Sequence, residues 1–269
     1  MAATSPILDL AGLRVLVTRP EAQADSLCKG IIQSGGIPVR FPVIEIRFIE
    51  PEPGFTTSLR DMGPRDRVIL VSANAVIGLS LACRRLGVEL PRKSRIAAIG
   101  PATARALNEI GLPATLIPEQ GFTSEALLAM NELHEVRGEP ILIVRGTGGR
   151  STLGRTLADR GAQVSYLAVY RRQRPQTPST VVLEAMDRGE IDLLTCTSGE
   201  ALDNLVDLTR SIPSPIVQRV PLVVGGHRVA GLATGRGFRQ VITASDPSDA
   251  ALLDAMRRWS RGRVMRCGR

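Results

Sequence analysis

The sequence predicts an α/β protein made of two domains, each with a parallel sheet covered by helices. Its 269 residues exceed the usual length of one domain, and 43% of them are hydrophobic, which is enough for a substantial core. Aromatic residues make up only 3%, so the core must consist of Val, Ile, Leu and Ala, the composition typical of buried parallel strands. Four segments also recur at a nearly constant offset, which indicates an internal repeat.

The repeat relates the first half of the chain to the second. Arg19 ends the segment LVTR and Arg145 ends LIVR, 126 residues later. Three more pairs follow in the same order at offsets of 125 or 126 residues: VSANAV with TSGEA, AIGPATARAL with VVGGHRVAGL, and SEALLAM with DAALLDAM. Each half therefore alternates strand and helix four times, which implies right-handed crossovers between parallel strands. The pattern resembles two flavodoxin-like domains.

The strands and the domain boundaries follow from the apolar runs. Two extended segments, residues 39–46 and 164–171, follow corresponding helices and are candidates for crossings between the domains. The predicted sheet strands span residues 15–18, 68–71, 96–99, 141–144, 191–196 and 221–224. We expect domain 1 to comprise residues 1–38 and 176–269, domain 2 to comprise 44–168, and hinge strands to span 39–43 and 169–175.

The net charge of +8 is concentrated at the C-terminal end. Residues 257–269 contain six arginines and no acid, so the preceding 256 residues carry a net charge of only +2. Runs of like charge are usually solvated, so a disordered basic tail is expected from residue 257. Nucleic-acid binding would need basic residues spread over a folded face with stacking aromatics. Only Trp259 lies near the run, and no nucleic-acid partner is expected.

The remaining composition favours a cytoplasmic protein without a histidine-based site. The four cysteines form no CxxC pair, which fits a reducing compartment. No uninterrupted apolar run reaches the ~18 residues of a membrane span, and no basic segment precedes an apolar stretch at the start, so no membrane association is expected. His134 and His227 are the only histidines, too few for a histidine metal site or a Ser-His-Asp triad.

Ligands of open parallel sheets bind beyond the carboxyl ends of the strands, where helix N-termini point unpaired N–H groups outward. Gly100 and Pro101 follow a predicted strand at such a place. The glycine permits close approach and the proline suits the first helical turn. Thr103 would add a hydroxyl to the same anion site. An ordinary strand-to-helix turn would use the same residues, so this alternative stays open.

Other polar side chains occupy the equivalent strand ends. Ser72 and Asn74 in the first half correspond to Thr197 and Ser198 in the second, and they can bind a ligand, cap a helix or do both. Arginine can hold a carboxylate through two hydrogen bonds, unless it is ion-paired or solvated. The candidate arginines are Arg19, Arg145 and Arg150.

The run RGTGGR from Arg145 superficially resembles a dinucleotide-binding loop. After Gly146 and Gly148, the spacing of such a loop requires a glycine at position 151, where this chain has Ser151, and no acid follows the next strand. Nicotinamide or flavin binding is therefore not expected.

A set of segments resembles the uroporphyrinogen-III synthases across essentially the whole chain. In order, they are LVTRPEAQADSL, LVSANAV, AIGPATARAL, GFTSEALL, ILIVRGTGGRSTL, AVYRR and TSGEAL. The resemblance implies two flavodoxin-like domains on a two-stranded hinge, with a substrate cleft between them and no metal or cofactor. It implies a lyase that cyclises hydroxymethylbilane to uroporphyrinogen III, with loss of water and inversion of ring D through a spiro intermediate. A monomer is expected, with the upstream hydroxymethylbilane-producing enzyme as a candidate partner.

The resemblance also suggests roles for single residues. Tyr170 matches the family's tyrosine in AVYRR and is the candidate proton donor to the departing hydroxyl, with packing of the hinge as the alternative role. The second glycine motif departs from the family pattern, because Gly226, His227 and Arg228 stand where a small residue and a hydroxyl are usual. His227 can contact a carboxylate as a neutral donor, or simply lie on the surface at the helix start.

Two other functions compete with synthase activity. One is a two-lobed ligand-binding protein of periplasmic or sugar-regulator type, for which no export signal or helix-turn-helix extension is apparent. The other is an inactive relative that binds tetrapyrroles as a sensor. The residues alone leave this second alternative open, because the chemistry has no obligatory catalytic signature.

Overall fold

The computed structural model describes residues 9–50, 54–60, 62–149, 151–176, 180–211 and 216–267. The chain divides into two compact units. Unit 1 comprises Met1–Glu45 and Gln173–Arg269, and unit 2 comprises Ile46–Arg172. The chain therefore passes from one unit to the other twice.

Strands and helices alternate along most of the described chain. The strands are β1 (Arg14–Val17), β2 (Ile37–Arg40), β3 (Glu45–Phe48), β4 (Arg67–Leu70), β5 (Arg95–Ala98), β6 (Pro140–Gly146), β7 (Gln163–Gln173), β8 (Leu193–Cys196), β9 (Leu222–Val224) and β10 (Val241–Thr243). The helices are α1 (Glu21–Gln33), α2 (Phe55–Arg60), α3 (Ala73–Leu86), α4 (Pro101–Glu109), α5 (Ser124–Leu128), α6 (Thr152–Asp159), α7 (Thr180–Asp187), α8 (Gly199–Leu208), α9 (Ile216–Arg219), α10 (His227–Gly235) and α11 (Asp249–Cys267), with a 3-10 turn at Asn131–Leu133.

Each unit contains one five-stranded sheet. The strand order is β10-β9-β8-β1-β2 in unit 1 and β3-β7-β6-β4-β5 in unit 2. Strand β1 pairs in parallel with β2 and β8, and β4 pairs in parallel with β5 and β6. Each of the six predicted apolar runs overlaps one of these strands. The predicted α/β class with two predominantly parallel sheets is confirmed, whereas the flavodoxin likeness and the hinge stay predictions.

The unit 2 sheet shows why its strands are apolar at successive positions. Val68 and Leu70 of β4 belong to a buried cluster with α3 and α4. Ile69, between them, belongs to a second buried cluster with α6. Successive strand side chains point to opposite faces, and both faces of this sheet are covered. An uninterrupted apolar run is therefore the pattern that the fold requires.

The C-terminal arginines from Arg257 to Arg266 lie in a helix, whereas a disordered tail was predicted. Helix α11 continues to Cys267, and Trp259 packs against the unit 1 core. Arg257 donates to Oγ of Ser34 at 2.8 Å, and Arg261 donates to both carboxylate oxygens of Asp9 at 2.9 Å. The prediction of a disordered tail is wrong at least from residue 257 to 261, because these contacts fix the helix against the unit. Residues 268 and 269 lie outside the described ranges.

No helix in the described ranges has the length and apolar character needed to cross a membrane.

Candidate functional site

In unit 2, the parallel register brings several predicted site residues to one sheet edge. Leu70 at the end of β4 pairs with Ala98 of β5 and with Val144 of β6. Ser72 and Gly100 follow β4 and β5, and Arg145 is the last residue but one of β6, so all three lie at the carboxyl edge, where helices α3, α4 and α6 begin. This is the edge at which parallel sheets bind ligands.

Tyr170 and Ser72 meet at this edge. The phenol oxygen of Tyr170 lies 3.0 Å from Oγ of Ser72. Ser72 is also the N-cap of α3, since its Oγ accepts a hydrogen bond from the Ala75 amide at 3.1 Å. Ser72 therefore caps a helix, one of the two roles considered from the sequence, and the same hydroxyl contacts the phenol of Tyr170. Asn74, the second residue of α3, is 8% exposed and thus largely buried.

The Tyr170 ring is fixed by its surroundings. Its residue is 4% exposed and belongs to the unit 2 core. A side chain on Gly146 would place Cβ 2.7 Å from ring atoms Cε2 and Cζ, so glycine at 146 makes room for the ring. The Tyr170 carbonyl also accepts from the Thr147 amide at 2.9 Å. The packing role and the chemical role proposed for this tyrosine are compatible in this arrangement.

Helix α4 begins as predicted, with Gly100 as N-cap and Pro101 in the first turn. Gly100 has φ 178°, an extended conformation that any residue adopts, so its lack of a side chain matters for space. A Cβ there would lie 2.9 Å from Cβ of Phe122. Thr103 is buried at 3% exposure, and the first turn contains no acid. The helix start is thus electrostatically suited to an anion.

Arg145 is engaged within its own loop. Its Nε donates to the Gly146 carbonyl at 3.1 Å, and a terminal nitrogen donates to the Gly149 carbonyl. Its guanidinium also lies 5.3 Å from the ring centre of Tyr166. A carboxylate ligand would have to share or replace these contacts. Arg150, the other candidate arginine here, lies outside the described residues.

Unit 1 repeats part of this arrangement at the ends of β8 and β9. Ser198 caps α8, accepting from the Ala201 amide at 3.1 Å, and Thr197 precedes it. Gly226 caps α10 with φ 118°, a conformation that favours glycine. His227 is the first residue of α10 and is exposed. Since β8 and β9 are paired in parallel, these residues lie at the same edge.

Arg19 has a structural partner. Its guanidinium lies 2.8 Å from a carboxylate oxygen of Asp249, the first residue of α11, and donates to the Pro247 carbonyl at 2.6 Å. The side chain is only 18% exposed. Arg19 therefore ties the end of β1 to the start of α11. Of the alternatives considered from the sequence for Arg19, the structure shows the ion pair.

The helix starts differ in charge. Helices α3, α4 and α10 have no acid in the first turn, whereas α8 carries Glu200 and α11 carries Asp249. An acid in the first turn already occupies the favourable potential of the helix N-terminus. The acid-free starts of α3 and α4 adjoin Ser72 and Tyr170, which makes the unit 2 edge the better-suited anion site.

Two residues at these edges were not among the candidate site residues, although Arg228 stands in the motif that departs from the family pattern. Phe122 lies over Gly100 although the two are 22 positions apart, and Arg228 lies 3.8 Å from the place that a Gly199 side chain would occupy. Phe122 stands in the segment GFTSEALL immediately before Thr123, the N-cap of α5. This position next to a helix start is the feature of the sequence that could have indicated a role for Phe122. The contacts themselves depend on tertiary packing.

Comparison with known proteins identifies relatives over most of the chain. The family model described as "Uroporphyrinogen-III synthase HemD" matches residues 25–254. The chain is 31% identical to uroporphyrinogen-III synthase of Salmonella typhimurium over 91% of this chain and 100% of that one. It is 30% identical to the Escherichia coli uroporphyrinogen-III synthase over the same shares of the two chains.

A solved structure is similar in fold. A mutant uroporphyrinogen III synthase from Thermus thermophilus aligns with a TM-score of 0.58 and 24% identity, covering 93% of this chain and 98% of that one. At this identity the likeness concerns the fold alone. Together with the family match and the two sequence relatives, the order of motifs along the sheets shows that this chain belongs to the uroporphyrinogen-III synthase family.

Proposed function

We propose that this protein is a lyase that cyclises hydroxymethylbilane to uroporphyrinogen III. The observation that carries the proposal is the Tyr170–Ser72 pair at 3.0 Å, set among the acid-free starts of α3 and α4 in a chain of this family. The pair supplies a proton-donating group, and the helix starts supply sites for carboxylates.

The reaction needs a proton at one defined atom. The bond between the terminal methylene and its hydroxyl breaks, and the hydroxyl leaves as water after gaining a proton. The resulting azafulvene is attacked by the substituted carbon of ring D, which gives a spiro intermediate. One bond of the spiro centre then breaks, and the ring recloses with ring D reversed, while a proton is returned to the surroundings. Without enzyme the same molecule closes to the type I isomer.

Tyr170 is the residue we assign to the first proton transfer. Its phenol is held by Ser72, and Ser72 is half-buried whereas Tyr170 is almost fully buried. Either oxygen can be the donor in this hydrogen bond. Tyr170 can therefore supply the proton through Ser72. The Ser72 hydroxyl gives its proton to the leaving hydroxyl and takes the phenol proton of Tyr170, and the phenolate regains a proton when the macrocycle recloses and releases one. A positioned donor of this kind typically contributes about 10²- to 10⁴-fold to a rate.

The eight carboxylates of the substrate explain the other polar groups. Backbone N–H groups at an acid-free helix start bind anions without a charged side chain. In unit 2 we assign this role to the starts of α3 and α4, with Asn74, Thr103, Arg145 and Arg150 as further binding residues. In unit 1 we assign it to the start of α10 with His227, and to Thr197 and Ser198. Arg19 contributes by fixing α11.

Binding of the carboxylate arms at several fixed places determines which carbon of ring D reacts, because it fixes the position of that ring. Ring inversion requires that the substituted carbon of ring D, rather than the free one, approach the azafulvene. Correct placement of reacting groups can account for several kcal/mol of a barrier, roughly 7–11 at best. Catalysis then depends on many weak contacts, and few titrating side chains are needed.

Three further features are part of the proposal. Residues 39–43 and 169–175 act as hinge strands, which is supported by the chain passing between units only near Glu45 and Arg172. The active form is a monomer. The compartment is reducing, which is supported by the described cysteines, Cys28, Cys83 and Cys196, being buried free thiols.

Isomer analysis tests the function directly. Purified protein is given freshly generated hydroxymethylbilane, the products are oxidised, and type I and type III uroporphyrins are separated by chromatography. A predominance of type III is expected, with heat-inactivated protein as the control. Type I formed at the rate of the control would show that the protein is not a synthase.

A further inference from the structure

Phe122 has an unusual backbone for a large side chain. Its φ is 34°, and among the described residues it is the single non-glycine residue with a positive φ. Bulky residues avoid this left-handed region because the side chain crowds the backbone. Such a conformation persists only when the surrounding structure holds it, and these positions concentrate at functional sites.

The loop that carries Phe122 reaches the carboxyl edge of the unit 2 sheet. Leu116 pairs in parallel with Ala97 of β5, and its carbonyl accepts from the Ala98 amide at 2.9 Å. The chain after Leu116 therefore runs in the same direction as β5. Phe122 follows at the end of this path, immediately before Thr123 caps α5 with a 3.2 Å hydrogen bond from Ala126.

The ring is placed against the start of α4. A Cβ on Gly100 would lie 2.9 Å from Cβ and 3.2 Å from Cγ of Phe122. Because Gly100 has an extended φ of 178°, glycine is needed there to make room for this side chain. The ring therefore adjoins the helix start to which we assign carboxylate binding.

Phe122 is not a core residue. It is 50% exposed, whereas Leu116 and Leu127 on either side of it in sequence are 5% and 0% exposed. These leucines belong to a buried cluster that does not include Phe122. An aromatic ring that only filled space would be buried with them, so the backbone strain is not explained by core packing.

We propose that Phe122 is a positioning residue whose ring stacks on one pyrrole of the substrate, while a carboxylate arm of that pyrrole binds at the start of α4. The inference rests on the proposed function. Aromatic rings prefer offset-stacked or edge-to-face contacts with other π systems, and such contacts tolerate different substituents. A flat face beside an anion site matches a pyrrole, which is itself a flat ring with acidic arms.

The key variant is Phe122→Asn. Asparagine tolerates the left-handed conformation better than phenylalanine, so the melting temperature is expected to equal or exceed that of wild type. The KM for hydroxymethylbilane is expected to rise roughly 2- to 10-fold, with kcat within about twofold, because one aromatic contact is lost. Phe122→Leu, which keeps apolar volume without a flat ring, is expected to raise KM similarly, and Phe122→Tyr to leave KM unchanged.

The matched control is Phe48→Asn, because Phe48 is an exposed phenylalanine of the same unit, on β3, without a positive φ. Its KM is expected to stay at the wild-type value. An unchanged KM in both Phe122→Asn and Phe122→Leu, or a fall in melting temperature without a KM change, overturns the proposal, since either result indicates a purely structural ring.

A second measurement separates this inference from the proposed function. If the wild-type protein forms no type III product, the function is wrong, and the ring is then tested by equilibrium dialysis with uroporphyrinogen III. Weaker binding by Phe122→Asn than by wild type supports the stacking role. Equal binding by both proteins, or binding by neither, overturns it.

Discussion

The phenol oxygen of Tyr170 lies 3.0 Å from Oγ of Ser72, although the two residues are 98 positions apart in the sequence. The same Oγ accepts from the Ala75 amide at 3.1 Å, so the tyrosine is connected through one hydroxyl to the N-terminus of α3. The ring beneath it is fixed by Gly146. These contacts fix the orientation of the phenol, as the proposed proton transfer requires.

Replacing Tyr170 by Phe removes the hydroxyl and keeps the ring. We expect kcat for type III formation to fall about a hundredfold, at the lower end of the contribution of a general acid. Tyr166→Phe is the matched control, because Tyr166 is the only other tyrosine and its residue is 48% exposed. It should retain kcat within about twofold of wild type. Equal kcat values for the two variants would remove Tyr170 from the mechanism.

A methyl group on Gly146 is expected to displace the Tyr170 ring. In Gly146→Ala the new Cβ would lie 2.7 Å from two ring atoms, so the ring or the strand must shift. We expect a loss of about 1–3 kcal/mol in the free energy of unfolding from overpacking. We also expect at least a tenfold fall in kcat, because small displacements of reacting groups are costly.

The control for that variant is Gly231→Ala, in the exposed face of α10, where an added Cβ meets nothing within 4 Å. It should gain about 0.5–1 kcal/mol, since alanine is the better helix former. Urea unfolding and isomer-resolved kinetics measure both effects. Normal stability and kcat in Gly146→Ala would mean that the ring is not held as described.

Arg67 should be the arginine in unit 2 most important for stability. It is 4% exposed, its Nε lies 2.8 Å from Glu139, and it donates to the Glu132 carbonyl at 3.2 Å. Arg67→Met leaves Glu139 buried with only Arg95, at 2.9 Å, as an ion-pair partner among the described residues. We expect a loss of about 3 kcal/mol, the lower end for a broken buried pair.

Arg85→Met provides the comparison, since Arg85 is 63% exposed and pairs with the exposed Glu50. Its cost should stay below about 1 kcal/mol. Both variants are compared by urea unfolding at one pH. Similar losses in the two would show that burial of the Arg67 pair has no energetic consequence.

Alkaline conditions should destabilise the fold through its buried thiols. Burial raises the pKa of Cys83 from 9.0 to about 11 and that of Cys196 from 9.0 to about 12. Between pH 9 and the raised pKa of each thiol, the unfolded chain releases protons that the folded protein retains. The free energy of unfolding therefore falls as pH rises from about 9 to 11. Below pH 9 this contribution is fully present.

Unfolding midpoints measured from pH 8 to 11 for wild type and Cys83→Ala test this expectation. The variant lacks one of the linked thiols and should show a shallower decrease than wild type above pH 9. The comparison of slopes cancels the other groups that titrate in this range. Parallel curves would mean that Cys83 does not contribute to the pH dependence.

The sequence alone predicted much of the fold, because burial leaves a local pattern. Apolar runs of four residues mark β4 and β5, and each is followed by capping or glycine residues at the start of a helix. The repeat at 125 or 126 residues placed equivalent strand ends in both halves. The same reasoning gave a wrong prediction for residues 257–261. A run of arginines is typical of a solvated segment, and the sequence does not reveal the acid and the hydroxyl that bind these arginines.

Contacts between residues that are distant in the sequence were decided only by the tertiary structure. Arg19 and Asp249 form an ion pair at 2.8 Å, which is one of the alternatives that the sequence left open for this arginine. Phe122 lies over Gly100 because the chain after Leu116 runs beside β5. Helix and strand periodicity records which face of an element is buried, but it contains no information on which distant side chain will lie opposite. Those contacts depend on the register and order of the strands within each sheet. The sequence by itself therefore determined the helices and strands and the sheet edge at which the candidate site lies, and the tertiary structure decided which side chains are in contact there.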